Sequence, residues 1–552
     1  MLAAAPPPAD SEYDVICVGG GLGGLAAAIR AHDLGARVLI LERSAMVGGV
    51  AAYSGGWCWV AGSQSGTDTI EAAEQYLDQV QGADRPVDRK ARRDYLLSAV
   101  RATRWFTAAG VPLSLVRSAP DLYHPCPGST AQGRLLECIV PGPELGPWRT
   151  RLRPSVHYRT GVTRDEIYFT LSSDVTARLA LARERQSEDL LTHGLGLAAG
   201  FAREALVTRG IRCLLEHRVT ALITQHGTEH DSTGHAKITG VVAAGPGGPV
   251  RFRATKGVLL AVGGYGNADD AAELEDVPEF IEASPPVVDG DGLGLAQSVG
   301  ATVVRGADPF VVLGARLEQR THPGSDVPLY NQLLETIGFP HSIIVNRDGR
   351  RFGDESYYGA LIRGLRTFDP QHNRWANFPC WLVFDQAFGD RYPLGPYPPG
   401  AGYPRAVAKF ASLAELAAAT GIDAAGLTDT VTRFNQFADA GTDLDFARGS
   451  LAFTQRAYGD PRYRNPNLGP VRQAPFYAVP LHVLGVGLCS LGLAIDTDAR
   501  VLRRDGSVIA GLYATGNAAA TRELKGYVTG LANARNYTYA YNAVNDMLGA
   551  GE

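Results

Sequence analysis

The sequence predicts an α/β protein of two domains, with the second domain inserted into the first. Its 552 residues exceed what one hydrophobic core usually organises, so at least two domains are expected. A strand–helix–strand pattern opens the chain at residues 13–41, and strand-like segments return near its end. We therefore assign residues 11–284 and 461–552 to one discontinuous domain with a parallel sheet, and residues 285–460 to an inserted α+β domain.

Each element of the opening unit has its own signal in the sequence. Residues 13–18 form a short apolar run of the strand type, and residues 23–34 have a helical composition. Gly35 is expected to end that helix, because glycine adopts the left-handed conformation that closes helices. Residues 37–41 form the next apolar strand, and residues 531–548 are predicted to form a terminal helix.

The turn between the first strand and the helix has the spacing G-x-G-x-x-G, formed by Gly19, Gly21 and Gly24. The first glycine permits a tight turn, the second lets the backbone approach a pyrophosphate, and the third allows close packing of strand and helix. The helix N-terminus offers N–H groups to the phosphates. Glu42 ends the second strand, where a carboxylate accepts hydrogen bonds from ribose hydroxyls, and Arg43 beside it is a further candidate contact. Since Glu42 would repel a 2′-phosphate, the pattern predicts a Rossmann-like dinucleotide site that disfavours NADP.

Further glycine-rich segments are predicted to extend this site. Those after the second strand provide flexible backbone along which the rest of a long cofactor could lie. Another two follow strand-like runs later in the chain. The candidate cofactor contacts in these segments are Gly48, Gly49, Ser54, Gly55, Gly56, Gly263, Gly516 and Asn517.

Composition excludes several classes of function. The formal net charge is −5, so no global basic field favours nucleic acid. No run of eighteen apolar residues predicts a membrane span. The seven cysteines are scattered and never spaced as CxxC, which favours reduced thiols over disulfides or a metal site. Residues 1–10 lack the pattern of a signal peptide, so we expect a cytoplasmic enzyme without a metal.

With these motifs in place, the chain resembles the fumarate reductase/succinate dehydrogenase flavoprotein superfamily over its whole length. The opening unit, residues 261–264 and residues 511–517 carry the resemblance. It implies that the dinucleotide is FAD and that residues 285–460 form a cap domain for the substrate. Covalent members attach the flavin to a histidine in the early glycine-rich loop. This chain has Tyr53 and no histidine there, so non-covalent FAD is expected.

Several segments are more similar to the 3-ketosteroid dehydrogenase branch than to the fumarate reductases. These are VTRFN at residues 431–435 and DLYHP at residues 121–125. Fumarate-type reductases place a proton-donating arginine shortly after the position of Glu355. Here residues 356–359 follow that glutamate, and the nearest arginine is Arg363. Tyrosine at this place is what the ketosteroid branch uses.

The resemblance implies a ketone desaturase, which forms an enone by removing a proton beside the carbonyl and a hydride from the next carbon. FAD takes the hydride, and a tyrosine with a lowered pKa takes the proton. The resemblance assigns this base to Tyr358, with Tyr123 beside it. Tyr357 is the alternative, and a tyrosine cluster sharing a proton would lower the pKa of the base.

The carbonyl oxygen gains negative charge during this reaction, so hydrogen-bond donors must converge on it. The resemblance assigns one donor to the hydroxyl of Tyr527 and the other to a backbone N–H. The motif aligns with a shift here, so either Gly530 or Leu531 could supply that N–H. Thr529 is a candidate N-cap of the terminal helix.

Other functions stay open from the sequence alone. The same flavin chemistry run backwards gives an enoate reductase of the fumarate or urocanate type, and a non-catalytic flavin-binding protein is a third class. The substrate is a small-molecule cyclic ketone, either a 3-ketosteroid or a smaller cyclohexanone. An external electron acceptor such as a quinone is implied by the resemblance.

Five arginines crowd one loop-rich stretch of the chain. They are either a solvated charged loop or, for one or two of them, a clamp for a carboxylate on a small ring ketone. These residues are Arg149, Arg151, Arg153, Arg159 and Arg164.

Overall fold

The computed structural model describes residues 11–62, 68–81, 87–158, 161–171, 175–225, 236–334 and 336–550. Residues 1–10 and Arg159, which enter the predictions above, lie outside the described residues. In the part of the chain that the structure describes, no helix is both long enough and apolar enough to cross a membrane.

Two large sheets organise the described chain. Eight described strands form the first sheet, in which the opening strand lies between two parallel neighbours. In spatial order its main path is Arg500–Leu502, Val508–Ala514, Gly248–Leu260, Ser11–Val18, Val38–Leu41 and Arg212–Leu214. An antiparallel extension, Lys237–Gly245 and Arg218–Gln225, pairs onto Gly248–Leu260.

Helices at the two ends of the chain pack together beside the first sheet. Leu22–Asp33 follows the opening strand and contacts Leu531–Leu548, which closes the chain. Buried alanines and glycines along Leu22–Asp33 permit this close approach. The predicted opening unit and the terminal helix are therefore confirmed, with boundaries within two residues.

The second sheet is almost wholly antiparallel. Apolar side chains cover both of its faces, in two separate buried clusters, because successive residues of a strand point to opposite sides. Its described strands are Asn331–Gln332, Val311–Ala315, Phe476–Gly485, Cys380–Asp385 and Ser342–Asn346 in spatial order, with Ile281–Glu282 and Ala408–Phe410 also paired to Phe476–Gly485.

The second sheet does not coincide with the predicted insertion at residues 285–460. Its central strand, Phe476–Gly485, and the short strand Ile281–Glu282 lie outside that range. Conversely, Asp291–Gln297 lies inside the range but buries Leu293 in the core of the first sheet. An apolar strand has the same local pattern whichever sheet it joins, since its partners are distant in sequence.

The remaining described elements are helices, short helical segments and small strands. The helices are Ile70–Gln81, Arg89–Ala108, Val175–Ser187, His193–Ala202, Ala271–Glu275, Tyr358–Leu365, Gln386–Arg391, Leu413–Thr420, Ala424–Ala440 and Ala452–Ala457, with short 3₁₀- or π-helical segments at Val50–Tyr53, Gly142–Arg151, Glu166–Thr170, Arg203–Thr208 and Gly516–Ala518. The small strands are Cys58–Trp59, Leu113–Leu115, Leu135–Cys138, Val140–Pro141, Leu190–Leu191, Val303–Arg305, Leu491–Leu493, Phe368–Asp369 and Arg374–Trp375.

Candidate active site

A cleft of about 950 Å³ lies at the carboxyl ends of the parallel strands of the first sheet. This is the place where open parallel sheets bind nucleotides. We call it the dinucleotide cleft. Of the predicted cofactor contacts, its lining includes Gly19, Gly21, Glu42, Arg43, Gly49, Gly263, Gly516 and Asn517.

The glycines of the motif are required by close approach of the backbone. Gly19 has φ of +111°, and a Cβ atom there would lie 2.3 Å from the carbonyl oxygen of Ala261. A Cβ atom on Gly24 would lie 1.9 Å from the carbonyl oxygen of Gly19, so this glycine packs the helix onto the strand. Gly21 faces Gly49 across the cleft, where an added Cβ would lie 3.8 Å from the Cα of Gly49. A side chain at either residue would fill the space that a pyrophosphate needs.

Glu42 is held in the cleft by backbone donors. One carboxylate oxygen accepts a hydrogen bond of 2.8 Å from the N–H of Gly20, and the other accepts one of 2.8 Å from Ser44. Each oxygen keeps a further lone pair that can accept a ribose hydroxyl. The helix Leu22–Asp33 has no side-chain cap, so its first N–H groups are available to phosphate. These features fit the nucleotide half of FAD.

Several of the predicted cofactor contacts are either paired within the protein or lie outside the lining of the cleft. Arg43 forms a two-pronged ion pair with Asp289, at 2.7 and 2.8 Å, on the wall of the cleft. Gly48, Ser54, Gly55 and Gly56 are outside the described lining of the cleft. Ser54 accepts a hydrogen bond of 3.3 Å from Asn533 of the terminal helix, which ties this loop to that helix.

A second cavity, of about 1080 Å³, adjoins the cleft, and Asn517 lines both. We call it the tyrosine cavity, because three tyrosines from distant parts of the chain line it: Tyr123, Tyr357 and Tyr527. The connection at residues 515–530, between Val508–Ala514 and Leu531–Leu548, contributes residues to both spaces. A molecule extending from the cleft would therefore meet the tyrosines.

Tyr123 and Tyr357 share a direct hydrogen bond between their hydroxyl groups. The hydroxyl of Tyr123 can also donate to the carbonyl oxygen of Tyr527, 3.2 Å away. Burial raises the pKa of Tyr357 to about 12, while the hydrogen bond from Tyr123 and the positive charge of Arg363 oppose that rise. Burial also raises the pKa of Tyr123 well above its usual value. The expectation that a shared proton lowers the pKa of the base is therefore wrong for this pair, because burial outweighs the hydrogen bond. Within this pair the hydrogen bond therefore favours Tyr357 as the anion.

Tyr357 and Tyr358, the two candidates for the base, have different environments. Tyr357 precedes the helix Tyr358–Leu365 in an extended conformation and reaches the cavity, where its hydroxyl lies over Gly359. Tyr358 begins the helix on its buried face, with Leu361 and Leu365. It is not part of the described cavity lining, and its ring contacts Phe310, Tyr357 and Tyr527. The geometry thus favours Tyr357, the alternative that the sequence left open.

Tyr527 is oriented by aromatic packing. Its ring stacks on Phe310 with centroids 4.0 Å apart, and Tyr358 contacts its edge at 5.6 Å. Phe310 follows residues 307–309, which also line the cavity. This stacking fixes the plane of the phenol and hence the direction of its hydroxyl group.

The N-terminus of Leu531–Leu548 lies at the same cavity, through Leu531 and Ala532. The prediction of Thr529 as N-cap is wrong, since the N-cap is Gly530, with φ of +87° and no side-chain bond. The N–H of Leu531 donates to the carbonyl of Val528 at 3.2 Å, so it is already used. The N–H groups of Gly530 and Ala532 donate to no other described residue.

A buried ionic network supports the loop that carries Tyr123. Arg134 forms hydrogen bonds to Asp121 at 2.9 Å and to both oxygens of Asp68, at 2.6 and 2.9 Å. Asp121 also accepts a hydrogen bond of 2.8 Å from the indole N–H of Trp59. Burial raises the pKa of Asp121, and Arg134 opposes that rise. Since each charge is paired, the network can hold the loop rigidly.

The arginine-rich stretch does not converge on the tyrosine cavity. Arg149 pairs with Asp189 at 2.6 and 2.7 Å, and Arg151 is exposed. Arg153 is buried at the dinucleotide cleft, where it donates to the hydroxyl of Ser44 at 2.8 Å. Arg164 lies over the ring of Trp57, and Arg159 is outside the described residues. None of the four described arginines of this stretch lines the tyrosine cavity, so the geometry does not favour a carboxylate clamp here, and the hypothesis stays a prediction.

Sequence reasoning gave no role to several residues of the tyrosine cavity, among them Phe310, Arg363 and Ala532. For Phe310 and Ala532 no local pattern could have indicated the role, because each acts through its place in the fold. Arg363 did have a signal, since it lies four residues beyond Gly359 and a helical face repeats at that spacing.

The dinucleotide cleft fits a nucleotide cofactor, and the tyrosine cavity adjoins it at Asn517. The chain belongs to the FAD binding domain family, whose model matches residues 14–531. It is thus an FAD-dependent flavoprotein oxidoreductase of the dehydrogenase type, as the fold and the relatives agree.

Similar proteins sharpen this assignment. The chain is 34% identical over 540 residues to 4-oxocyclohexanecarboxylate 2-dehydrogenase of Sinomonas cyclohexanicum, covering 94% of this chain and 89% of that protein. It is 31% identical to 3-oxosteroid 1-dehydrogenase of Mycolicibacterium smegmatis, covering 92% of each. A crystal structure of 3-ketosteroid Δ1-dehydrogenase from Sterolibacterium denitrificans, in complex with 1,4-androstadiene-3,17-dione, is similar with a TM-score of 0.86 and 29% identity, over 98% of this chain and 100% of that chain. The predicted fold and the resemblance to the ketosteroid branch are confirmed.

Proposed function

We propose that this chain introduces a carbon–carbon double bond next to the carbonyl group of a cyclic ketone. The observation that carries the proposal is the hydrogen-bonded pair of Tyr123 and Tyr357 on the wall of a cavity that Tyr527 and a helix N-terminus also line. The names of the similar proteins, which are dehydrogenases of cyclic ketones, support the substrate class.

Tyr357 acts as the base that removes the proton beside the carbonyl. Only its phenolate can accept this proton, so Tyr357 first loses its own hydroxyl proton to solvent. With a pKa of about 12, the phenolate is strongly basic but scarce at neutral pH. Tyr123 stabilises the phenolate by turning its own hydroxyl proton from the carbonyl oxygen of Tyr527 toward Tyr357. Tyr358, the base that the family resemblance implies, packs behind the pair and remains the alternative.

The carbonyl oxygen of the substrate binds at a second group of residues in the tyrosine cavity, which are hydrogen-bond donors. The hydroxyl of Tyr527 supplies one hydrogen bond, and the free N–H of Ala532 or Gly530 supplies the other. The partial positive charge of the helix N-terminus adds to them. These donors stabilise the enolate that forms as Tyr357 takes the proton, which lowers the barrier.

FAD, when bound along the dinucleotide cleft, supplies at its N5 atom the acceptor for the hydride from the adjacent carbon. We propose that it is held without a covalent bond, since residues 48–56 contain no histidine. The proposal also requires an external electron acceptor, such as a quinone, to complete the cycle.

Anaerobic addition of ketones to the holoenzyme tests the proposed function. Cyclohexanone, 4-oxocyclohexanecarboxylate and a 3-ketosteroid are each mixed with the yellow protein, and the flavin absorbance is followed. At least one ketone is expected to bleach the flavin without any nicotinamide cofactor, with the enone as product. Bleaching by none of them, together with turnover of fumarate or urocanate by dye-reduced enzyme, would establish the enoate reductase instead.

A further inference from the structure

Charged side chains of both signs line the tyrosine cavity. Its described lining contains three guanidinium groups, of Arg363, Arg366 and Arg535, and two carboxylates, of Asp308 and Glu523. Asp276, which lies outside this lining, pairs with Arg366, so the positive and negative groups are equal in number. What distinguishes the three arginines is whether each has a partner within the protein.

Two of the three arginines are already occupied by protein acceptors. Arg366 donates to the carboxylate of Asp276 at 2.6 Å and to its carbonyl oxygen at 3.2 Å. Arg535 donates to the carbonyl oxygens of Ala519 and Gly516, at 3.2 and 3.3 Å, and lies 3.6 Å from Glu523. Their charges and donors are thus satisfied within the fold.

Arg363 is different, because its guanidinium has no hydrogen-bonded or ion-paired acceptor among the described residues. The helix Tyr358–Leu365 buries Tyr358, Leu361 and Leu365 against the rest of the protein. The opposite face contributes Gly359, Ile362 and Arg363 to the cavity lining, and Arg363 lies at the mouth of the cavity, where it is also exposed to solvent. The positive charge of Arg363 also reaches Tyr357, whose pKa it lowers.

We infer that Arg363 binds a carboxylate on the substrate, so that the substrate is a small cyclic keto acid. The guanidinium offers two parallel N–H donors, which match the two oxygens of a carboxylate. A ring ketone held at its carbonyl by Tyr527 and at its carboxylate by Arg363 is fixed at two points. This inference rests on the proposed function, and it assigns the specificity to a residue of the second sheet's domain rather than to the arginine-rich stretch.

The test compares ligands that differ only in the carboxylate, in holoenzymes that differ only in one arginine. In Arg363→Gln, the ratio of kcat/KM for 4-oxocyclohexanecarboxylate to that for cyclohexanone is expected to fall about 10- to 100-fold. Loss of the charge also slows proton abstraction by Tyr357 from both ketones, and this common effect cancels in the ratio. Arg366→Gln, which removes a paired arginine from the same face, is the matched control and should change the ratio by less than about threefold.

A binding measurement keeps the inference separate from the proposed function. Cyclohexanecarboxylate has no ketone and cannot be oxidised, so calorimetry reports its affinity alone. Arg363→Gln is expected to raise its Kd about 10-fold or more, and Arg366→Gln is not. An unchanged Kd in Arg363→Gln, or equal losses in the two variants, would overturn the assignment. If no ketone bleaches the flavin but Arg363 still controls this Kd, the proposed function fails and the carboxylate site stands.

Discussion

The dinucleotide cleft and the tyrosine cavity lie side by side but are built by different means. The cleft has glycines at its narrow points, where the backbone itself forms the wall, and the carboxylate of Glu42 is held there by two N–H groups. The cavity is made of side chains, whose positions depend on packing between Tyr123, Phe310, Tyr357 and Tyr527. A backbone site tolerates little variation in sequence, whereas a side-chain site can change its ligand through one residue. The cleft therefore identifies the cofactor, and the cavity determines the chemistry and the substrate.

The largest effect on activity is expected when one hydroxyl group is removed from the tyrosine cavity. Tyr357→Phe is expected to lower kcat by about 10³-fold while FAD content stays normal, because only the proton acceptor is lost. Stopped-flow reduction of the flavin by the ketone measures this step. In the parent enzyme the rate should rise about tenfold per pH unit between pH 7 and 9, because the phenolate fraction grows as pH approaches a pKa of about 12.

The adjacent tyrosine provides the matched control for that experiment. Tyr358→Phe keeps the ring packing against Phe310 and Tyr527, so a loss of less than about threefold is expected. If Tyr358→Phe instead loses the activity and the pH dependence, the base is Tyr358, as the family resemblance implies.

Removing a donor at the carbonyl end should have a smaller effect. Tyr527→Phe is expected to cost about 10²-fold in turnover, since one of two donors to the enolate is lost and the helix N-terminus remains. The stack on Phe310 is kept, so FAD content and melting temperature should equal those of the parent. Full activity in this variant would show that the carbonyl binds elsewhere in the cavity.

Among the variants that remove a functional contact, the smallest effect is expected in the cleft, where many weak contacts together bind the cofactor. Glu42→Gln should lower the affinity for FAD about tenfold, because a charged acceptor becomes a neutral one. The flavin is released by acid precipitation, and its absorbance in the supernatant gives the occupancy. Yellow colour that stays in the precipitate would contradict non-covalent binding, and an occupancy equal to the parent's would remove Glu42 from the cofactor site.

The dinucleotide cleft could be predicted from the sequence more completely than the tyrosine cavity. The motif Gly19, Gly21 and Gly24, with Glu42, lies within one continuous strand–helix–strand unit, so local spacing was enough to predict the cleft. The terminal helix was predicted with its observed boundaries, Leu531–Leu548, because its periodic pattern begins after a glycine.

The cavity was less predictable, since its geometry depends on distant packing. Whether Tyr357 or Tyr358 faces the cavity depends on the residue at which a helix begins, and neighbouring tyrosines have the same local pattern. The sequence makes Arg149 a candidate clamp, but the fold pairs it with Asp189, forty positions along the chain. Charge patterns show which side chains are cationic, and only the fold shows which of them are already paired.

The connection at residues 515–530 borders both spaces, and this shared wall has a thermodynamic consequence. Gly516 and Asn517 face the cleft, while Tyr527 and Val528 face the cavity. If the cofactor orders this connection when it binds, less conformational entropy remains to be lost when the ketone binds. By linkage, the ketone must then strengthen retention of the cofactor by the same factor. Such ordering couples the two ligands through one stretch of backbone.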